Sequence, residues 1–131
     1  MGGRIVGGAM VVPVGDLERS LRFYVDSLGF HLRSRHAGPA GGFAEVEAPG
    51  VKILLQESGL PAAGPPHPGG APALSLVFET RDLEPALEAL AARGVEFASE
   101  IEEDPEYRTA VLRDPDGTSL RLRERRSPAR L

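Results

Sequence analysis

Short apolar runs and two helical stripes follow one another along this chain, and the same order of elements occurs twice. Ala9 to Val14 is an apolar run of strand length. Asp16 then stands where a helix N-cap belongs, its carboxylate able to accept from free backbone N–H groups. Leu17, Leu21, Tyr24, Val25 and Leu28 recur at helical spacing, and Gly29 follows as a stop that tolerates a positive φ. Phe30 to His36, Gly42 to Ala48 and Val51 to Glu57 read as strands, with a turn at Ala48-Pro49-Gly50 between the last two.

The second half repeats this plan. Ala73 to Thr80 is a strand, and Asp82 caps a helix with the stripe Leu83, Ala86, Leu87, Leu90 and Ala91. Pro85 is acceptable because it falls in the first turn, where its missing N–H is not needed. Gly94 ends this helix, and Val95 to Ser99, Tyr107 to Arg113 and Thr118 to Arg123 read as strands. Asp114-Pro115-Asp116-Gly117 is the tight turn joining the last two, with proline preset for a turn and glycine free to take φ > 0. Asp16-Leu17-Glu18 is answered by Asp82-Leu83-Glu84 at an offset of 66 residues, and Gly29 by Gly94 at 65. The pattern predicts one α+β domain over 1–131 built from two βαβββ modules, at 9–57 and 73–124. A Pro/Gly-rich linker at 58–72 joins them, either a plain connection or a lid, and 125–131 forms a tail.

Period-two alternation assigns faces to the strands. Leu74, Leu76 and Phe78 are expected against a helix, with Ser75, Val77 and Glu79 on the other side. Leu120 and Leu122 likewise face a helix, while Ser119, Arg121 and Arg123 turn away. A sheet with helices on one side must curl its other side around something or expose it. The expected architecture is therefore a curved mixed sheet around a pocket, with helices on the outer face, and such pockets usually take small molecules.

Composition narrows the classes. Hydrophobic residues make up 41% and charged residues 26%, which suits a globular chain able to build its own core. A net charge of −4 gives no reason to expect a nucleic-acid partner, and Arg121, Arg123, Arg125 and Arg126 read first as a solvated face. The absence of cysteine excludes disulfides, thiolate metal sites and cysteine nucleophiles. No signal-like apolar run opens the sequence and no stretch is long enough to span a membrane, so the expected location is the cytoplasm.

Three segments carry a family resemblance: Val14-Gly15-Asp16-Leu17-Glu18-Arg19-Ser20-Leu21-Arg22-Phe23-Tyr24 closing on Leu28-Gly29-Phe30, then Arg93-Gly94-Val95, then Arg113-Asp114-Pro115-Asp116-Gly117. In this order and spacing they resemble the vicinal oxygen chelate superfamily, which includes glyoxalase I, extradiol dioxygenases, and fosfomycin- and bleomycin-resistance proteins. The resemblance runs from about Ala9 to Glu124. It implies the fold more strongly than any activity, because one fold hosts many functions.

In metal-dependent members of that superfamily, His, Glu or Gln side chains project inward from four strands. The resemblance places those positions at Ala9, Ile53, Ser75 and Arg121, and a slip of two or four residues on the fourth strand reaches Leu55 or Glu57. Alanine and isoleucine cannot ligate, serine is a poor ligand, and arginine is a permanent cation. No metal or other cofactor is therefore expected. His31 and His36, five apart on one strand, are expected on opposite faces, and His67 falls in the linker.

The expected ligand-contacting set is Val11, Phe43, Ile53, Leu55, Ser75, Val77, Tyr107 and Arg121. Phe43, Tyr107 and Phe23 are candidates for stacking on a flat ligand, Phe23 also reading as core. Arg121 can grip a carboxylate or phenolate, or bridge Glu57 or Glu79. Glu57 and Glu79 are the candidate general bases, each with the alternative of a solvated strand end. Arg33, Arg35 and Arg108 read as surface residues. The first functional reading is a metal-free drug- or natural-product-binding protein of the bleomycin-resistance type, acting by sequestration. The second is a glyoxalase- or dioxygenase-like lyase, isomerase or cyclase. The expected partners are a small organic ligand, aromatic or anionic, and a second copy of the chain in a homodimer.

Overall fold

Each half of the chain folds into a four-stranded mixed sheet with one helix against one face. The computed structural model describes residues 3–38, 41–57, 75–97 and 100–126. The expected linker at 58–72 lies outside the described residues, as do residues 127–131 of the expected tail at 125–131. The chain divides into two units, Met1–Ala62 and Ala63–Leu131.

In the first unit the strands are β1 (Met10–Val14), β2 (His31–Gly38), β3 (Gly41–Ala48) and β4 (Val51–Glu57), in the sheet order β1-β4-β3-β2. β1 runs parallel to β4, and the other neighbours are antiparallel. Between β1 and β2 lies α1 (Leu17–Leu21), continued by a π-helical segment, Arg22–Ser27. Asp16 caps α1 as expected, its side chain accepting from the Arg19 N–H at 3.2 Å. Leu17, Leu21 and Tyr24 bury the helical stripe against Val12, Val14, Ala44, Val46, Ile53 and Leu55 of the sheet. Fully burying a side chain of this size contributes about 1.5–3 kcal/mol. The rings of Phe23 and Phe30 meet Tyr24 edge-on, at 5.1 and 6.0 Å between centroids.

In the second unit the strands are β5 (Ser75–Glu79), β6 (Glu102–Glu103), β7 (Tyr107–Arg113) and β8 (Ser119–Arg125), in the order β5-β8-β7-β6. The helix α2 (Leu83–Ala92) buries Leu83, Leu87 and Leu90. The pairing pattern matches the first unit, β5 running parallel to β8. Gly29, Gly94 and Gly117 all take positive φ, at 87°, 82° and 84°, as the helix stops and the hairpin turn require.

Two expected elements differ. The strand expected at Val95 to Ser99 is reduced, among the described residues, to a single bridge from Phe97 to Leu112. The edge of the sheet is supplied instead by Glu102 and Glu103, which pair with Thr109 and Arg108. Two adjacent acids carry no strand pattern, so only the ladder with β7 reveals them. No helix of the described residues is long and apolar enough to cross a membrane.

Candidate functional site

The face of each sheet turned away from its helix is the open face, and strand register decides which side chains it carries. In the first unit Val11 pairs with Leu54, and Pro13 with Gln56, while Phe43 and Glu45 lie across from Gln56 and Leu54. The buried set alternates with these residues: Ile53 and Leu55 pair with Met10 and Val12 and are fully buried among the helix-side residues. Ile53 and Leu55 were expected to line the pocket, and the structure instead places them in the core. A one-residue change of register exchanges the faces of a whole strand. The open-face residues of β4 are Leu54 and Gln56, which sequence reasoning passed over.

A second correction concerns the histidines. The β2–β3 register shifts between Leu32 and Ser34, leaving a bulge at Arg33. The extra residue reverses the alternation, so His31 and His36 pair with Glu47 and Phe43, two residues of the same face. His36 stacks on Phe43 with ring centroids 4.8 Å apart. The open face of the first sheet thus combines this stacked pair with Val11 and Leu54, flanked by the amide of Gln56.

Glu57, a candidate general base, is committed elsewhere. Its carboxylate accepts from the backbone N–H of Leu17 at 3.0 Å and of Gly42 at 3.1 Å. Gly41 makes room for it: φ there is +118°, and a Cβ would stand 3.1 Å from the Glu57 Cβ. The two N–H groups, Leu17 first, hold the Glu57 carboxyl below its ordinary value of 4.5. A base is made stronger by a raised pKa, so this environment works against proton abstraction. The second unit repeats the device, with Glu124 of β8 accepting from the Leu83 N–H at 2.7 Å. Asp82, the expected cap of α2, makes no side-chain cap bond. The last strand of each unit therefore supplies a carboxylate to the first turn of its own helix.

This device has a pH signature. A carboxyl whose folded pKa lies below its unfolded value contributes stability above the unfolded value, and loses it as pH falls through the folded one. Glu57 should therefore add to stability above about pH 4.5 and cease to do so at lower pH. Glu57→Gln is expected to lower Tm at neutral pH and to shrink the Tm difference between about pH 7 and pH 3. Thermal melts across that range that give parallel curves for the two proteins would contradict this role.

In the second unit the alternation expected for β8 is observed. Val77 pairs with Arg121 and Glu79 with Arg123 on the open face, while Leu120 is fully buried. Arg121 bridges Glu102 at 2.7 Å, an acid on β6 rather than Glu57 or Glu79. Glu79, the other candidate base, is bridged by Arg123 at 3.2 Å. The Arg123 guanidinium also lies 3.9 Å from the centroid of the Tyr107 ring. Ser75 is exposed at the end of this face. Arg33 and Arg35 are exposed as expected, paired with Glu47 and Glu18. Arg108 is more than a surface residue: it draws together Glu84, Glu103 and Glu124 on the helix side.

A family model described as the Glyoxalase/Bleomycin resistance protein/Dioxygenase superfamily matches residues 7–122. The chain belongs to this superfamily. Among solved structures, it is 27% identical to TnmS3, an antibiotic binding protein from Streptomyces sp. CB03234, with a TM-score of 0.75 over 95% of this chain and 100% of that one. A glyoxalase/bleomycin resistance protein from the same organism is 28% identical, with a TM-score of 0.67 over 88% and 97% of the two chains. A superfamily member from Sphaerobacter thermophilus DSM 20745 is 29% identical, with a TM-score of 0.65 over 92% and 98%. No curated protein matches the chain.

Metal-dependent members of the glyoxalase superfamily need side chains that can ligate. With the β4 register corrected, the four positions hold Ala9, Leu54, Ser75 and Arg121. Two hydrocarbons, one hydroxyl and one permanent cation do not fit a divalent ion. Among the described residues no group of three or more His, Asp or Glu is placed to hold one.

Proposed function

We propose that this protein binds a small organic molecule of the antibiotic or natural-product kind on the open faces of its sheets. In this reading it acts by sequestration, without a metal or other cofactor, as a homodimer in the cytoplasm. The observation that carries the proposal is apolar exposure at repeated positions. Val11 is 55% exposed and Val77 is 47% exposed, at the same place in β1 and β5, while the helix-facing Val12 and Leu76 are fully buried. Apolar side chains beside a few polar groups are the usual lining of a small-molecule site. In the first unit Phe43, Leu54 and Gln56 complete this surface, and in the second Ser75, Tyr107 and Arg121. The likeness to TnmS3 supports the same reading. The alternative, a lyase, isomerase or cyclase, needs a free base, and both candidate acids are engaged: Glu57 by two backbone N–H groups, Glu79 by Arg123.

One purified sample tests the parts together. Elemental analysis should find no stoichiometric divalent ion, and light scattering at high micromolar concentration should give the mass of two chains. A thermal-shift panel of planar aromatic antibiotics should contain at least one compound that raises Tm. At a hundred times its Kd such a compound adds about 2.7 kcal/mol, which is on the order of 10 °C. One Zn, Ni, Fe or Mn per chain, lost on mutating a single open-face residue, would overturn the metal-free reading. A monomeric mass would overturn the dimer, and turnover of a panel compound would overturn sequestration.

A further inference from the structure

The two halves repeat in backbone but not in charge. β8 carries Arg121, Arg123 and Arg125 in one row on its open face, and the positions of β4 equivalent to the first two hold Leu54 and Gln56. Glu102 answers Arg121 and Glu79 answers Arg123. Arg125 has no acid partner among the described residues, and neither has Arg81, which lines the same recess. That recess, of about 460 Å³, is lined by Glu79, Thr80, Arg81 and Arg125. The corresponding stretch of the first half is Pro13-Val14-Gly15, which carries neither charge nor hydroxyl. Arg123 takes the Glu79 carboxylate, and the other charged residues that line the recess, Arg81 and Arg125, are both basic. Arg125 also lies 5.9 Å from the centroid of the Tyr107 ring, so an aromatic surface is within one side chain's reach of the recess.

We infer that the recess between Arg81 and Arg125 seats the acidic group of an aromatic ligand, so that the second half of the protein selects aromatic anions over their neutral counterparts. The inference rests on the small-molecule reading above and gives it a substrate class. A guanidinium cannot shed its proton, and its planar fork matches the two oxygens of a carboxylate or sulfonate. Tyr107, braced by Arg123, offers the aromatic body a contact surface on the same face.

Two fluorescent probes separate the inference from its foundation. 8-Anilinonaphthalene-1-sulfonate is an aromatic anion, and N-phenyl-1-naphthylamine is the same ring system without the sulfonate. The intact protein should bind the anion at least tenfold more tightly, with a preference that falls as salt rises. The double variant Arg81→Ala/Arg125→Ala should lose that preference while keeping its affinity for the neutral probe. Arg22→Ala, which removes an exposed charge from the first unit, should leave both affinities unchanged. Equal binding of the two probes by the intact protein overturns the selection but leaves small-molecule binding standing. So does a double variant that retains the preference, or an Arg22→Ala variant that loses it. Failure of both probes to bind the intact protein counts against the inference and the reading beneath it together.

Discussion

Leu55→Ala is expected to cost about 2–5 kcal/mol of folding stability, the range for removing a buried leucine side chain and leaving a cavity. Leu54→Ala, one residue earlier, is expected to cost about 1 kcal/mol or less, the range of substitutions outside the core. The contrast follows from register. Leu55 pairs with Val12 and is fully buried, whereas Leu54 pairs with Val11 on the open face. Ligand affinity should show the opposite order: Leu54→Ala should weaken binding of a panel compound, and Leu55→Ala should change it little while the protein remains folded. Urea melts of the two variants beside calorimetric titrations measure both quantities. Equal destabilisation, or loss of binding confined to Leu55→Ala, would mean that the faces of β4 have been exchanged.

Asp114→Ala is expected to destabilise the second unit by about 2–4 kcal/mol, because hydrogen bonds to a charged group contribute about 1.5–3 kcal/mol each and are not additive. Asp114 is only 5% exposed. One of its carboxylate oxygens accepts from the N–H groups of Asp116 at 2.9 Å and Thr118 at 2.8 Å. Its own N–H and C=O are tied across the turn to Thr118 and Gly117. Removing the side chain takes away the carboxylate acceptor of both N–H groups in the turn that leads into β8, the strand that carries Arg121. Asp114→Asn retains an acceptor and should recover part of the loss. A melting midpoint for Asp114→Ala within error of the parent would show that the backbone bonds alone hold the turn.

What the sequence disclosed was what short-range chemistry determines. The strict alternation Leu120-Arg121-Leu122-Arg123 assigns its faces without ambiguity, and the register with β5 agrees. Gly29, Gly94 and Gly117 needed only local backbone logic. The helix cap at Asp16 was legible for the same reason, the bond spanning three residues. The cap of α2 was not, since Glu124 reaches Leu83 from 41 residues away. Ile53-Leu54-Leu55 carries no alternation, so nothing local says which residue turns inward. The bulge at Arg33 reverses a count of odd and even positions, and only pairing with β3 reveals it. The open-face set therefore loses Ile53 and Leu55 to the core and gains Leu54, Gln56 and His36. The engagement of the candidate bases was hidden for a related reason: groups distant in sequence occupy both carboxylates, the backbone N–H groups of Leu17 and Gly42 at Glu57 and the Arg123 guanidinium at Glu79.

The function proposed above is binding of a small organic molecule on the open faces of the sheets. A nitrogen-15 NMR titration with the tightest compound of the antibiotic panel tests it most directly. Amide shifts should concentrate at Val11, Phe43, Leu54 and Gln56 in the first unit and at Val77, Tyr107 and Arg121 in the second. The solvent side of the helices, at Glu18, Arg22 and Glu88, should stay still. Shifts confined to the helices and turns, or a panel in which no compound moves any amide, would contradict it.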